Sequence, residues 1–255
     1  MDFIDLDIGG DAHALLRAAE QKRFGLWRVR YDGLVIHCAD LLSLYHSLVS
    51  IFLDRIYDFN SAAASPYIID GGAHIGLFTL FAKRRFPGAK LVAFEPDPVN
   101  LTFLRLNLEQ NSVRGVDVVT SGLDSHDGAL PFHSDSTDGG SFLEGQGDTL
   151  LPVCRLSQWL PHGADMVKLN IEGAESRVIE EIRPVLHTVE NISLEYHAFQ
   201  ELEQTLHLIL DALNQSGFRY LVRHYCPGTP ANLTELTAEV PFFNIVSAKR
   251  FGARQ

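Results

Sequence analysis

Tyr67-Ile68-Ile69-Asp70-Gly71-Gly72-Ala73-His74-Ile75-Gly76 is the stretch on which the fold turns. Tyr67 to Asp70 is a short apolar run with β-branched residues and predicts a strand. The glycines after it predict a tight turn, and IGLFTLFAKRRF (75–86) predicts a helix. Strand, glycine-rich turn and helix in that order form the place where open α/β sheets bind nucleotides. Glycine lets the backbone come close to a ligand, and Asp70, at the carboxyl end of the strand, can meet a cation or a hydroxyl. A dinucleotide turn reads G-x-G-x-x-G; counted from Gly71, its second glycine falls on Ala73, which disfavours pyrophosphate. The chain has no GxxxxGK[ST], so a P-loop is excluded.

Strands and helices alternate from this stretch toward the C-terminus. LVAFE (91–95) predicts a second strand, Asp97 a helix cap with Pro98 behind it, and Leu101, Leu104 and Leu108 a buried stripe. VDVVT (116–120), DMVKLNI (165–171) and ISLEYH (192–197) predict further strands, while the polar, Gly-rich run 121–149 predicts loops and a short hairpin. Val178, Ile179 and Ile182 mark a helix stopped by Pro184. Leu202, Leu206, Ile209, Leu210 and Leu213 mark another, ended by Gly217. FRYLVRHY (218–225) and FFNIVSAK (242–249) predict an antiparallel hairpin at the sheet edge, joined by a Pro-rich excursion. The expected architecture is Rossmann-like α/β, with a mostly parallel seven-stranded sheet, an antiparallel C-terminal hairpin strand and helices on both faces. Toward the N-terminus, residues 1–60 read as an accessory layer before a main domain at 61–255. That layer holds an extended pair over Leu26 to Cys38 and an amphipathic helix through 41–57, with Leu41, Leu44, Leu48, Ile51 and Phe52 at helical spacing.

The composition narrows the partners. A net charge of −11 over 255 residues argues against nucleic acid, whose binders draw on clustered Lys and Arg. The acidic start MDFIDLDIGGD lacks the basic region of a secretory signal, and no apolar run approaches the ~20 residues of a membrane span, so a cytoplasmic protein is expected. Cys38, Cys154 and Cys226 are odd in number, far apart and free of any CxxC spacing, which suggests neither a disulfide framework nor a zinc site. Glu95 ends the second strand, where a carboxylate can accept hydrogen bonds from both hydroxyls of a ribose. A helix-capping Glu is the blander reading. The glycine turn ~20 residues earlier makes Glu95 a nucleoside signal that fits NAD and S-adenosylmethionine equally.

IIDGGAHIGLFTLFA, VAFEPDPVNLTFLRLNLEQN and VKLNIEGAE, in this order, resemble the FkbM family of S-adenosylmethionine-dependent methyltransferases. The resemblance spans roughly Leu26 to Lys249 and implies the class I methyltransferase fold. It implies that Asp70, Gly71, Gly72, Ala73, His74 and Gly76 wrap the methionine part of the cofactor, with His74 in place of the family's more usual Asn. It places the ribose on Glu95, with Pro96, Asp97 and Asn100 on the adenine side and Ser121, Gly122 and Leu123 against the adenine. The family's third motif, typically KIDVEGAE, is matched by Lys168, Asn170, Glu172, Gly173 and Glu175, and Asn170 stands where the family has Asp. The resemblance also implies O-methylation in natural-product or glycan pathways.

Methyl transfer from a sulfonium is an in-line displacement, so holding the nucleophile in line accounts for most of the chemistry. An alcohol also needs its proton removed, worth a factor on the order of 10² to 10⁴. His197 is the expected base, with Glu172 or Glu195 orienting it or the substrate; a satisfied strand-end histidine is the bland reading. Glu175 reads as a charge favoured at a helix start, and Lys168 as a bridge to a neighbouring acid. Asn170, Glu172, Glu195 and His197 match no metal-ligand spacing, so no metal is expected. The expected partner is a small-molecule or glycan acceptor, and an apolar edge or the first helix leaves a homodimer open. Two other readings stay open: an NAD(P)-dependent oxidoreductase, disfavoured by Ala73 and by the lack of a YxxxK pair, and a non-catalytic partner subunit, motivated by Asn170.

Overall fold

The computed structural model describes residues 2–134, 140–141, 149–200, 203–225 and 242–251. The chain opens with strand β1 (Ile4–Gly9), helix α1 (Ala14–Gln21), strand β2 (Phe24–Tyr31) and strand β3 (Leu34–Asp40). The expected extended pair is β2 and β3, antiparallel, with Tyr31 opposite Leu34 across the two-residue turn Asp32-Gly33. Both turn residues have positive φ, 44° and 81°, the conformation for which Asp-Gly is suited in a tight hairpin. β1 is an addition to the expected layer; it pairs parallel to β2, with α1 crossing between them.

Asp40 then caps helix α2 (Leu41–Leu48), its carboxylate accepting from the Leu42 amide at 2.9 Å. The single helix expected through residue 57 is corrected here. After Leu48 the chain widens into a π-helical turn (Val49–Leu53), and Arg55, at φ 53°, turns it out of helical geometry. Single π turns inside helices are frequent at functional sites.

The main unit runs β4 (Tyr67–Gly71), α3 (Leu77–Arg85), β5 (Lys90–Phe94), α4 (Pro98–Gln110) and β6 (Val116–Val119). Then come β7 (Gly122–Leu123), β8 (Gly128–Ser134), β9 (Gly140–Ser141) and β10 (Thr149–Cys154). The chain closes with β11 (Ala164–Leu169), α5 (Glu175–Ile182), β12 (Val189–Ala198), α6 (Leu206–Gln215), β13 (Phe218–His224) and β14 (Phe242–Arg250). The seven-stranded sheet has the order β13-β14-β12-β11-β4-β5-β6, parallel except at β14. The expected antiparallel hairpin pair stands at the sheet edge: β13 is outermost, and β14, inserted between β12 and β13, pairs with both. The excursion between them lies outside the described residues, as does Cys226. In the polar run 121–149, the described residues form strands of a small second sheet, β7-β10-β8-β9, rather than loops and one hairpin; 135–139 and 142–148 lie outside the description.

Side-chain alternation along the strands splits the core in two. Ile68, Leu91, Ala93, Met166 and Ile245 face one side, where they join α3, α4 and the N-terminal layer in a single apolar cluster. Ile69, Val92, Val167, Leu169, Ile192, Leu194 and Val246 face the other, against α5 and α6. The capping at α4 is as the sequence implies: Asp97 accepts from the amides of Val99 and Asn100, and Leu101, Leu104 and Leu108 are buried.

The third strand of the N-terminal layer, β3, has a free edge, and α4 covers it. Asn107 accepts from the His37 amide at 2.6 Å and donates to the His37 carbonyl at 3.1 Å. One turn on, Asn111 does the same for Val35, at 3.0 and 2.7 Å. Two side-chain amides thus take the place of a neighbouring strand along alternate residues of β3.

Candidate active site at the carboxyl ends of the parallel strands

A cavity of about 800 Å³ opens where β4, β5, β11 and β12 end, within the range of small-molecule sites. Its floor is the turn after β4. Gly72 has φ +74°, and a Cβ added there would lie 1.8 Å from the Asn170 carbonyl oxygen, so the β4 and β11 turns touch backbone to backbone. The amides of Gly72 and Ala73 both donate to the Phe94 carbonyl, at 3.1 and 2.8 Å. Lys168 supports the turn from below, donating to the carbonyls of Gly72 (2.6 Å) and Gly71 (3.1 Å). Its charge is balanced by Asp70, 3.2 Å away and fully buried, whose other oxygen accepts from the Thr79 hydroxyl at 2.7 Å.

Glu95 follows β5 at the cavity rim. Its Oε2 accepts from the His74 amide at 2.7 Å and its Oε1 from the Asp97 amide at 2.9 Å, leaving each oxygen with further lone pairs. Burial pushes its carboxyl up to about 7, against the pull of those two amides. His74, whose amide makes the first of these bonds, sits in the left-handed region at φ 52°.

The opposite wall carries a histidine among carboxylates. His197, 4% exposed, donates from Nδ1 to Glu175 at 3.0 Å and places Nε2 3.5 Å from Glu172. Burial pulls its pKa down, but Glu172, Glu175 and Glu195 more than offset this and raise it to about 10. The ring stacks on Phe199 and meets the edge of Phe243. Glu175 also accepts from the amides of Ile171 and Gly173, so one carboxylate locks the β11 turn and the histidine together. Beside them, Glu195 Oε2 accepts from Tyr57 at 3.1 Å and from Asn170 Nδ2 at 3.2 Å. Burial and the Glu195 charge hold the Tyr57 hydroxyl protonated, well above its ordinary range.

Residues 70–220, more than half the chain, match the family model described as the methyltransferase FkbM domain. The chain belongs to this family. It is similar to the methyltransferase sdnD of Sordaria araneosa, 46% identical over 83 residues, 32% of each chain. It is also similar to the 31-O-demethyl-FK506 methyltransferase FkbM of Streptomyces tacrolimicus, 37% identical over 90 residues, 34% of this chain and 35% of that one. The matched stretch therefore spans about a third of these relatives. Among solved structures, the methyltransferase FkbM of Methylobacillus flagellatus KT aligns with TM-score 0.51 at 16% identity, over 80% of this chain and 54% of that one. TYW2 of M. jannaschii, in complex with AdoMet, aligns with TM-score 0.53 at 14% identity, over 90% and 88%. Both likenesses are of fold, the class I methyltransferase fold expected from the sequence.

On this FkbM-family frame, most residues singled out in the sequence converge. Gly72, Ala73, His74, Glu95, Pro96, Asn100, Gly122, Leu123 and Asn170 line the cavity, as do Glu172, Glu195 and His197. Five others are buried behind that lining. Asp70 and Gly71 lie with Lys168 beneath the turn, Gly76 (φ 91°) starts α3 against Leu104, Asp97 caps α4, and Ser121 donates to the Gly122 carbonyl. The N-terminal layer shapes the pocket as well, through residues that sequence reasoning did not name: Tyr45 and His46 of α2, then Asp54 and Tyr57 after the π turn, line the cavity too. That reasoning also took Glu175 for a helix-start charge alone. No local pattern signals either: the apolar spacing runs on unbroken through Ile51 and Phe52, and the partners of Glu175 are brought to it only by folding.

Proposed function

We propose that this FkbM-family protein transfers a methyl group from S-adenosylmethionine to a hydroxyl of a small-molecule or sugar acceptor. The observation that carries the reading is Glu95, a buried carboxylate fixed by two backbone amides at the mouth of the glycine turn. That chemistry suits two ribose hydroxyls. The charge of the site suits the same cofactor. The described lining sets four carboxylates, Asp54, Glu95, Glu172 and Glu195, against the protonated His197, while its lysine, Lys168, is spent on Asp70 and the turn. A net negative cavity favours a sulfonium cation and disfavours a pyrophosphate, which counts against the NAD(P) reading. Gly72 to His74 would hold the methionine part, Glu95 the ribose, and Pro96, Asn100, Gly122 and Leu123 the adenine. Bound there, S-adenosylmethionine supplies an electrophilic methyl group.

The chain's own residues would manage the acceptor. His197, held protonated at neutral pH, is poorly suited to be the base expected of it. A carboxylate beside it, Glu172 or Glu195, takes the hydroxyl proton in this proposal, and the imidazolium steadies the charge. Such a base contributes on the order of 10²-fold or more.

Calorimetry with S-adenosylhomocysteine tests the cofactor half. The wild type binds, and Glu95→Ala weakens binding by ~1 to 3 kcal/mol because a charged acceptor is lost. Binding also weakens as pH falls through about 7, where Glu95 gains its proton. If only the ionised form binds, affinity drops roughly eightfold between about pH 7.5 and 6. Failure of the wild type to bind would end the reading. Release of S-adenosylhomocysteine from S-adenosylmethionine with hydroxylated acceptors then tests the transfer itself.

A further inference from the structure

A lysine in a cofactor cavity invites the assumption that it holds a negative group on the ligand. Lys168 is arranged for something else. The residue is 4% exposed, and its ammonium is ringed by the protein's own acceptors: the Gly72 carbonyl at 2.6 Å, the Gly71 carbonyl at 3.1 Å and Asp70 at 3.2 Å. The ring of Tyr57 closes a further side, 5.6 Å from Nζ to its centroid. The Gly71 carbonyl accepts from the Asn170 amide as well, at 3.0 Å. The two carbonyls that Lys168 binds are those of the residues whose backbone forms the start of the turn.

We infer that Lys168 is a positioning residue for the cofactor turn, fixing the Gly71 and Gly72 carbonyls from beneath so that the turn is set before the nucleoside arrives. The inference rests on the S-adenosylmethionine reading and deepens it. Its physical content is preorganisation: a turn ordered on folding need not be ordered on binding, so affinity is kept for the ligand. Asp70 completes the device. It neutralises the buried ammonium without reaching the cavity, and Thr79 holds its second oxygen.

Lys168→Met removes the two carbonyl contacts but strands the Asp70 charge in the interior. The double variant Asp70→Asn/Lys168→Met removes both charges and keeps the shape, so it serves where the single variant does not fold. Affinity for S-adenosylhomocysteine is measured by calorimetry, and amide exchange over residues 71–74 by mass spectrometry. Val178→Ala, in the core on the other face, is the control for general loss of stability. The expected result is roughly tenfold or greater weakening with faster exchange in the turn for the Lys168 variants, and affinity within about twofold of wild type for Val178→Ala. Lys168 variants that bind like the wild type, or that weaken binding no more than the control does, would overturn the inference while leaving the cofactor reading intact. A wild type that does not bind S-adenosylhomocysteine overturns both.

Discussion

His197 has a proton held by three carboxylates, Glu172 of the β11 turn, Glu175 of α5 and Glu195 of β12, and this couples its charge to folding. Its pKa is raised to about 10 in the folded protein from an ordinary 6.5. The sign follows from linkage: the folded state binds the proton more tightly, so the stabilisation is whole below about 6.5 and is lost as pH rises through about 10. For a site buried to this degree it amounts to a few kcal/mol at most, on the order-of-magnitude scale of ~1.4 kcal/mol per unit. The free energy of unfolding by urea is expected to fall between pH 7 and 10 in the wild type. In His197→Gln, already less stable at pH 7, that fall should shrink; an equal slope in both proteins would show that other groups cause it.

At the scale of elements, the joint between α4 and β3 is the one whose loss is easiest to price in hydrogen bonds. Asn107 is fully buried and makes three such bonds to backbone: two with His37 and one, at 2.8 Å, to the Ile75 carbonyl at the start of the α3 region. Asn107→Leu leaves those backbone groups without partners, and each buried orphan costs ~1 to 3 kcal/mol. Urea unfolding is expected to show a loss of about 3 kcal/mol or more, against about 1 kcal/mol for Asn111→Ala at the half-buried end of the same face. Comparable small losses for both would mean that water reaches the β3 edge. The leucines of α4 were readable by their spacing. The asparagines four residues apart were not, because an amide pair imitating a strand is visible only once β3 lies beside it.

For the whole molecule, one apolar cluster runs from Leu15, Trp27 and Ile36 of the N-terminal layer into Phe78, Leu104 and Met166 of the main unit. Layers that share a core in this way should unfold together. The chain's two tryptophans report on the two sides: Trp27 in this cluster, and Trp159, edge-on to Phe94 at 5.3 Å, beside the other. The single-tryptophan variants Trp159→Phe and Trp27→Phe are each expected to show a fluorescence transition that coincides with their own far-ultraviolet circular dichroism. An earlier fluorescence transition in Trp159→Phe, where Trp27 alone reports, would show that the N-terminal layer comes away first. No helix among the described residues is long and apolar enough to cross a membrane.

The order of strands and helices in the seven-stranded sheet, the glycine turn, the Asp97 cap and the place of Glu95 at a strand end were all legible in the sequence. These depend on local terms: side-chain periodicity, the permissiveness of glycine, and capping within three residues. Tertiary structure alone decided which groups meet. Tyr57 reaches Glu195 across 138 positions, Asn107 reaches His37 across 70, and β14 enters the sheet between two strands that precede it. The charge of His197 belongs to the same class, since three carboxylates had to be folded around it before its proton was held. Contacts at such separations come from the packing of the core, and no local pattern of residues encodes them.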